Sequence, residues 1–238
     1  DFIANASHEL RTPLASLRGF LETIKGPAAN DKAATARFLD IMLEQSHRMS
    51  RLIDDLLSLS RIEMKAHVSP QGTLDIVPVL GSVAASMQPL AQKLGLTIEL
   101  RLPKGPVEIV GDRDELIQVF DNLVENACKY GDSGKKVELT AEILEPLRAG
   151  QPGRVEVAVR DFGPGIPAEH LPRLTERFYR VNVSSSRDKQ GTGLGLAIVK
   201  HILNRHGTRL QISSTPGQGA RFSVIFPLKS TPTDVNNQ

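Results

Sequence analysis

An imidazole, a carboxylate and a hydroxyl stand close together in the string Ser7-His8-Glu9-Leu10-Arg11-Thr12-Pro13-Leu14. A free imidazole has a pKa of about 6.5, so near neutral pH most of it is unprotonated and nucleophilic. A carboxylate at the next position can hold the ring, take its proton and stabilise the cation that forms during attack. On a helix, Thr12 falls one turn beyond His8 on the same face. Pro13 removes the hydrogen bond its N–H would give to the Glu9 carbonyl, so the helix is expected to be weak or bent one turn from the histidine. A surface histidine beside a tolerated proline is the plain alternative. His47, which has no such neighbours, reads as an exposed residue of that plain kind.

Three further segments carry groups that suit a nucleotide. In Asp121-Asn122-Leu123-Val124-Glu125-Asn126-Ala127-Cys128-Lys129-Tyr130, Asn122 and Asn126 are one helical turn apart, and Lys129 and Tyr130 extend their stripe. Leu116, Phe120, Leu123 and Ala127 form a separate apolar stripe that can seat the helix on a sheet. Amide oxygens can ligate Mg²⁺ while their N–H groups reach phosphate, and lysine adds a point charge. Asp161-Phe162-Gly163-Pro164-Gly165 follows an expected strand. A carboxylate there can accept a hydrogen bond from an exocyclic amine, and Gly163 and Gly165 allow close backbone approach. Gly191-Thr192-Gly193-Leu194-Gly195-Leu196 opens a helix whose N–H groups and dipole suit phosphate oxygens. Any one of these turns could be only a turn. The last superficially matches a dinucleotide fingerprint, but the preceding segment is polar and loop-like, which argues against a Rossmann site, and no Walker P-loop is present.

The elements that must position these groups follow from periodicity. Ile3, Leu10, Leu14, Leu17, Leu21 and Ile24 recur at helical spacing; after a break at Gly26, Pro27 and Asn30, so do Phe38, Met42, Gln45, Met49, Leu52, Leu56 and Leu59. Residues 1–66 therefore read as an all-α antiparallel hairpin, with His8 beside the seam and pointing outward. Two helices alone bury little surface. Pairing with a second copy gives a four-helix bundle and a homodimer, and a docking face on the rest of the chain is the other explanation. Residues 67–72, with Ser69, Pro70 and Gly72, read as a linker. Residues 73–229 read as an α+β sandwich, with helices expected at 77–94, 112–130 and 193–206. Strands are expected at 96–102, 107–110, 137–144, 155–161, 209–214 and 220–226. Asp112 and Glu115 form a capping-box start for the middle helix. Residues 230–238 read as a polar tail.

Composition narrows the class. Among 238 residues, 40% are hydrophobic and 24% charged, as in a globular protein, and a net charge of +2 gives no call for nucleic acid. Cys128 is the single cysteine, so no disulfide forms within the chain, which fits a reducing compartment. Beside Ala127 in a helical pattern, it reads as buried filler. No run is long and apolar enough to span a membrane. The first residue is not methionine and the helical pattern is already running at Phe2, so the chain reads as a piece of a longer protein.

Taken in order, these segments resemble the H, N, G1, F and G2 boxes of sensor histidine kinases, with Arg177-Phe178-Tyr179-Arg180 similar to the F-box. Among such kinases the likeness is to the phosphate-regulon sensor type. The resemblance covers nearly the whole chain and implies a Bergerat-type ATP-binding fold after the hairpin. It implies His8 as phospho-acceptor, Glu9 as base and Thr12 as the residue that assists dephosphorylation. It implies Asn126 as the chief Mg²⁺ ligand, Asn122 and Lys129 near phosphates, Tyr130 against the base and Asp161 on the adenine amine. Residues 183–190 would be a lid over the nucleotide. Arg180 and Arg187 would be phosphate contacts or solvated loop charges. ATP and Mg²⁺ are the expected cofactors. The receiver domain of a response regulator is the expected partner. The expected setting is the cytoplasmic portion of a bacterial inner-membrane sensor, joined to the membrane through segments outside this chain. Thr175, Asn182 and Thr208 depart from the family pattern. An ATP-driven clamp of the Hsp90 or MutL kind is the rival reading, and the H-box and short hairpin argue against it.

Overall fold

A computed structural model describes residues 2–146, 151–181 and 191–229. Two long helices, α1 (Phe2–Lys25) and α2 (Lys32–Met64), open the chain. Asp31 starts α2, its carboxylate accepting the Ala34 N–H at 2.9 Å. The pairs Glu9–Arg48 and Phe20–Phe38 converge on the loop, so the helices run antiparallel; the two phenyl rings stack at 5.2 Å near the turn. The apolar stripe of α1 is divided. Leu10, Leu17 and Ile24 are partly covered and Pro13 is buried, while Ile3, Leu14 and Leu21 stay exposed. A single partner helix covers only one side of such a stripe.

The rest of the chain is a layer of helices on a five-stranded sheet. Its strands are β2 (Thr97–Arg101), β4 (Lys136–Leu144), β5 (Arg154–Asp161), β6 (Gln211–Ser214) and β7 (Ala220–Pro227). They lie in the order β2-β4-β5-β7-β6, parallel only between β2 and β4. A short antiparallel pair, β1 (Thr73–Asp75) and β3 (Glu108–Val110), stands apart. Three helices complete the layer: α3 (Ile76–Lys93), α4 (Arg113–Tyr130) and α5 (Gly195–Arg205). Alternation fixes the buried face of the sheet: Val137, Leu139 and Ala141 lie opposite Asp161, Val159 and Val157, with Phe222, Val224 and Phe226 on the next strand. Leu116, Phe120, Leu123 and Ala127 of α4 pack on this face. Removing one such fully buried ring, as in Phe120→Ala, is expected to cost about 3–5 kcal/mol.

Element ends differ from the sequence reading for identifiable reasons. Val107 is not in the strand expected at 107–110 because its N–H goes to the Asp75 carboxylate at 2.9 Å, the same oxygen that caps α3 through Val77. The strand expected at 209–214 begins at Gln211, and Thr208 turns its hydroxyl to the Ile225 carbonyl at 2.7 Å. The helix expected from residue 193 begins at Gly195, because Gly193 has φ +74° and lies outside helical space. β1 is too short to show a period of two. Asp112 caps α4 by accepting from Asp114 and Glu115. Its own N–H donates at 3.1 Å to His206, whose other ring nitrogen meets the Ile202 carbonyl, so the proton sits on Nδ1.

The hairpin and the layered part share one core. Leu52, Leu59 and Ile62 of α2 are buried in it. Gln118 donates to Ser58 at 2.8 Å, and Arg205 donates to the Val68 carbonyl at 2.7 Å while pairing with Glu115. No described helix is long and apolar enough to cross a membrane.

Candidate active site

Between α4, the end of β5, the turn before α5 and α2 lies a cavity of about 440 Å³. This is within the size range of small-ligand sites. On α4, Leu116, Val119, Phe120, Leu123, Val124, Ala127 and Cys128 are buried, which leaves Asn122, Glu125, Asn126 and Lys129 half-buried along the opposite side. All four line the cavity, as does Tyr130. Asn122 donates to the Gln118 carbonyl at 2.8 Å. Its oxygen is turned toward Gly195, where a Cβ would lie 2.6 Å away, so a side chain at that position would displace the Asn122 amide. Lys129 is paired with Glu125 at 2.7 Å. Among the described residues no hydrogen bond engages the Asn126 amide. Cys128 is fully buried behind this wall, and burial pushes its thiol up to about 11.

Asp161 is the next inward residue after Val155, Val157 and Val159, so strand alternation carries its carboxylate into the layer between sheet and helices. It is 5% exposed. Its Oδ1 accepts the N–H groups of Gly163 at 2.9 Å and Ala220 at 3.2 Å. Burial raises its pKa above the ordinary carboxylate value, and the two backbone donors oppose that rise only in part. Ile166, Leu174, Leu196, Ala220 and Phe222 supply apolar lining. Such a place, apolar with one fixed carboxylate, can hold a flat base by an amine hydrogen bond.

Gly191, Thr192, Gly193 and Gly195 line the far side, together with Gly165, Tyr179 and Arg180. Gly193 is held against Phe178, whose N–H donates to the Gly193 carbonyl at 2.8 Å. Tyr179 is fixed by His170 at 2.7 Å and by the Arg173 guanidinium 4.2 Å from its ring centre. Gly163 and Leu194 are not among the lining residues: Gly163 serves Asp161 through its N–H, and Leu194 is buried in the core, with its N–H on the Thr192 hydroxyl. Arg187 and the proposed lid lie outside the described residues.

Residues 111–230 match the family model of histidine kinase-, DNA gyrase B- and HSP90-like ATPases. The chain belongs to that family. Residues 1–65 match the His Kinase A phospho-acceptor domain, so the two parts together make a sensor histidine kinase core. The chain is 41% identical over 228 residues to the phosphate regulon sensor protein PhoR of Pseudomonas aeruginosa, covering 95% of this chain and 49% of that protein. It is 34% identical over 227 residues to the sensor protein kinase WalK of Staphylococcus aureus, covering 95% and 53%. The chain thus spans about half the length of these curated relatives. Among solved structures it is similar to the Acinetobacter baumannii histidine kinase AdeS (TM-score 0.69, 27% identity, 94% of this chain and 98% of that one). It is also similar to full-length ShkA in complex with AMPPNP (TM-score 0.65, 28% identity, 96% and 46%).

In this kinase core the hairpin supplies a wall of the cavity that sequence reasoning missed. Arg51, Asp54 and Asp55 of α2 line it. The Thr192 hydroxyl donates to Asp55 at 2.6 Å, and burial raises the Asp55 pKa against that bond, with Glu125 adding to the rise. Glu63 pairs with Arg177 and lies 3.7 Å from His201. Phe2 and Phe178 are 6.0 Å apart. Nothing local marks these α2 residues; only the docking of two distant segments gives them a role. His8 is exposed on α1 and is not among the residues that line the cavity. Thr12 turns its hydroxyl back to the His8 carbonyl at 3.2 Å, and Glu9 is held by Arg48 at 3.0 Å.

Proposed function

We propose that this chain is the autokinase core of a two-component system, transferring the γ-phosphoryl group of ATP to His8. The group would then pass to an aspartate on the receiver domain of a response regulator. The observation that carries this reading is the cavity itself. It gathers an amide-and-lysine stripe, a buried carboxylate and a glycine-rich helix start beside a hairpin that bears an exposed histidine with a carboxylate next to it.

In the proposed site Asp161 accepts from the adenine amine through Oδ2, since Oδ1 is already bound by two backbone donors. Tyr130 lies against the base. Asn122, Lys129, Arg180 and the N–H groups at 191–195 meet the phosphates. Asn126, with its amide uncommitted among the described residues, would hold Mg²⁺ through its amide oxygen. When bound, the ion would supply charge neutralisation for the phosphate oxygens. The His8 nitrogen lone pair attacks the γ-phosphorus, the bond to the bridging oxygen breaks with its electrons going to ADP, and Glu9 takes the imidazole proton. Positioning carries most of such catalysis, so the layered part must swing until the phosphate reaches His8. Thr12 would orient water when the same face dephosphorylates the regulator. The whole protein is proposed to be a homodimer anchored at a bacterial inner membrane.

Incubation with γ-labelled ATP tests this. Acid-labile, base-stable label is expected on the chain, lost by at least a hundredfold in His8→Ala with ATP affinity unchanged. Label on another residue, or ATP turnover without any label, would overturn it and favour a clamp.

A further inference from the structure

Consecutive side chains at Arg177, Phe178 and Tyr179 leave the backbone for different places. Arg177 pairs with Glu63 of α2, Phe178 packs against the core, and Tyr179 lines the cavity together with Arg180 and Val181. A left-handed turn makes this divergence possible. Phe178 has φ +65°, a conformation that is costly for a bulky side chain and persists only where its surroundings impose it. One restraint comes from the backbone: the Phe178 N–H donates to the Gly193 carbonyl at 2.8 Å. On the cavity side the restraint is a side chain. The Tyr179 hydroxyl and His170 Nδ1 are 2.7 Å apart, and the histidine side chain is only 24% exposed. His170 belongs to the short 3₁₀ helix Ala168–Arg173, which packs against β6 and follows a segment tied to that strand by the Ile166 N–H on the Ser214 hydroxyl at 2.8 Å. It is therefore a fixed point. Arg173 of the same helix lies over the Tyr179 ring at 4.2 Å, but it is more than half exposed and shares its Nε with Glu176 at 3.2 Å. The arginine covers the ring face, while the histidine sets where the hydroxyl ends. Arg180 follows Tyr179 directly, so the place of one fixes the backbone from which the other leaves. His170 itself is not among the lining residues.

We infer that His170 is a positioning residue for nucleotide binding: its bond to the Tyr179 hydroxyl holds the strained turn at Phe178 in the form that puts Tyr179 and Arg180 on the cavity wall. This rests on the cavity being the nucleotide site, as proposed above. When a wall is in place only part of the time, affinity falls in proportion to the fraction of molecules that have it, and saturating ligand restores it. The signature is a weaker nucleotide affinity at an unchanged maximal rate.

The test is titration calorimetry with ATP on the full chain, paired with the labelling rate at saturating ATP. His170→Ala should weaken ATP binding about fivefold, the worth of one neutral hydrogen bond (~1 kcal/mol), and leave the saturated rate within about twofold of the parent. His170→Asn carries an amide near the place of Nδ1 that can donate to the hydroxyl or accept from it, and should recover most of the loss. Tyr179→Phe removes only the hydroxyl and should lose as much affinity as His170→Ala. Adding His170→Ala to it should change the affinity by less than about twofold. Should His170→Ala fail to fold, Tyr179→Phe and His170→Asn carry the comparison. Equal losses from His170→Ala in both backgrounds, full affinity in Tyr179→Phe, failure of asparagine to restore binding, or a loss confined to the saturated rate would each overturn the inference. A parent chain that binds no ATP would sink the nucleotide reading itself, and the inference with it.

Discussion

Asp161 combines two demands that usually conflict. It is held in an apolar layer where a carboxylate is costly, and under the proposed function it must also accept an amine hydrogen bond there. Two backbone N–H groups partly offset the cost, yet its pKa stays raised. The folded state therefore holds this proton more tightly than the unfolded chain does. Its contribution to stability is full below the ordinary carboxylate pKa and is lost as pH rises through the raised value. Asp161→Asn keeps an oxygen for Gly163 and Ala220 and removes the charge. It should melt a few degrees higher than the parent at pH 7, since ~1 kcal/mol moves the melting point of a chain this size by about 2–4 °C. That advantage should shrink as pH falls into the carboxylate range. Because the amide can present N–H where the adenine amine needs an acceptor, adenine-nucleotide affinity should fall at least a hundredfold. Scanning calorimetry across pH and titration calorimetry with ATP check both halves.

At the scale of elements, α2 does two jobs: it closes the hairpin and walls the cavity. Asp55 meets Thr192 with its pKa raised by burial, so the docked arrangement takes up its proton more readily than a solvated Asp55 would. Docking is favoured below the raised value and weakens as pH climbs through it. Asp55→Asn keeps an acceptor for the Thr192 hydroxyl and removes one negative charge from the cavity wall. ATP should then bind about three- to tenfold more tightly at pH 7 (~0.7–1.4 kcal/mol), the order expected of one charge across a partly wet interface. The pH dependence of that affinity through the carboxylate range should flatten. Titration calorimetry at several pH values measures both, and an unchanged affinity would mean that Asp55 does not face the phosphates. This double use of α2 marks the limit of what sequence conveys. The helices, all five strands of the large sheet, and the stripe through Asn122 and Asn126 are legible because each obeys a local period of 3.6 or 2. The position of Asp161 follows from the same alternation. Arg51, Asp54 and Asp55 are not legible, because on α2 alone they are an ordinary solvated face. β1 is not legible either, since three residues show no period. The start of α5 slips by two residues because Gly193 adopts a positive φ that glycine permits without announcing.

At the scale of the whole molecule, the hairpin leaves a broad apolar face uncovered. Leu14, Leu21, Leu39, Leu43, Ile53 and Leu57 are 44–58% exposed on its outer side, a density of large apolar groups that a solvated pair of helices does not sustain. The antiparallel register puts Leu14 and Leu43 at one level, somewhat less than two turns from His8, with Leu21 further toward the loop. The cavity, by contrast, is lined by described residues of this one chain. Assembly and nucleotide binding should therefore separate cleanly. The parent chain is expected to sediment at twice its 25.9 kDa mass, with a melting temperature that rises with protein concentration, as linkage to dimerisation requires. Leu14→Glu together with Leu43→Glu places four carboxylates at the centre of the proposed bundle. That pair should yield a monomer whose melting point no longer depends on concentration and whose ATP affinity stays within about twofold of the parent, a difference of only ~0.4 kcal/mol. A parent chain that is monomeric at every concentration would show that the exposed leucines serve some other contact. An affinity lost along with the dimer would show that the second copy reaches into the pocket.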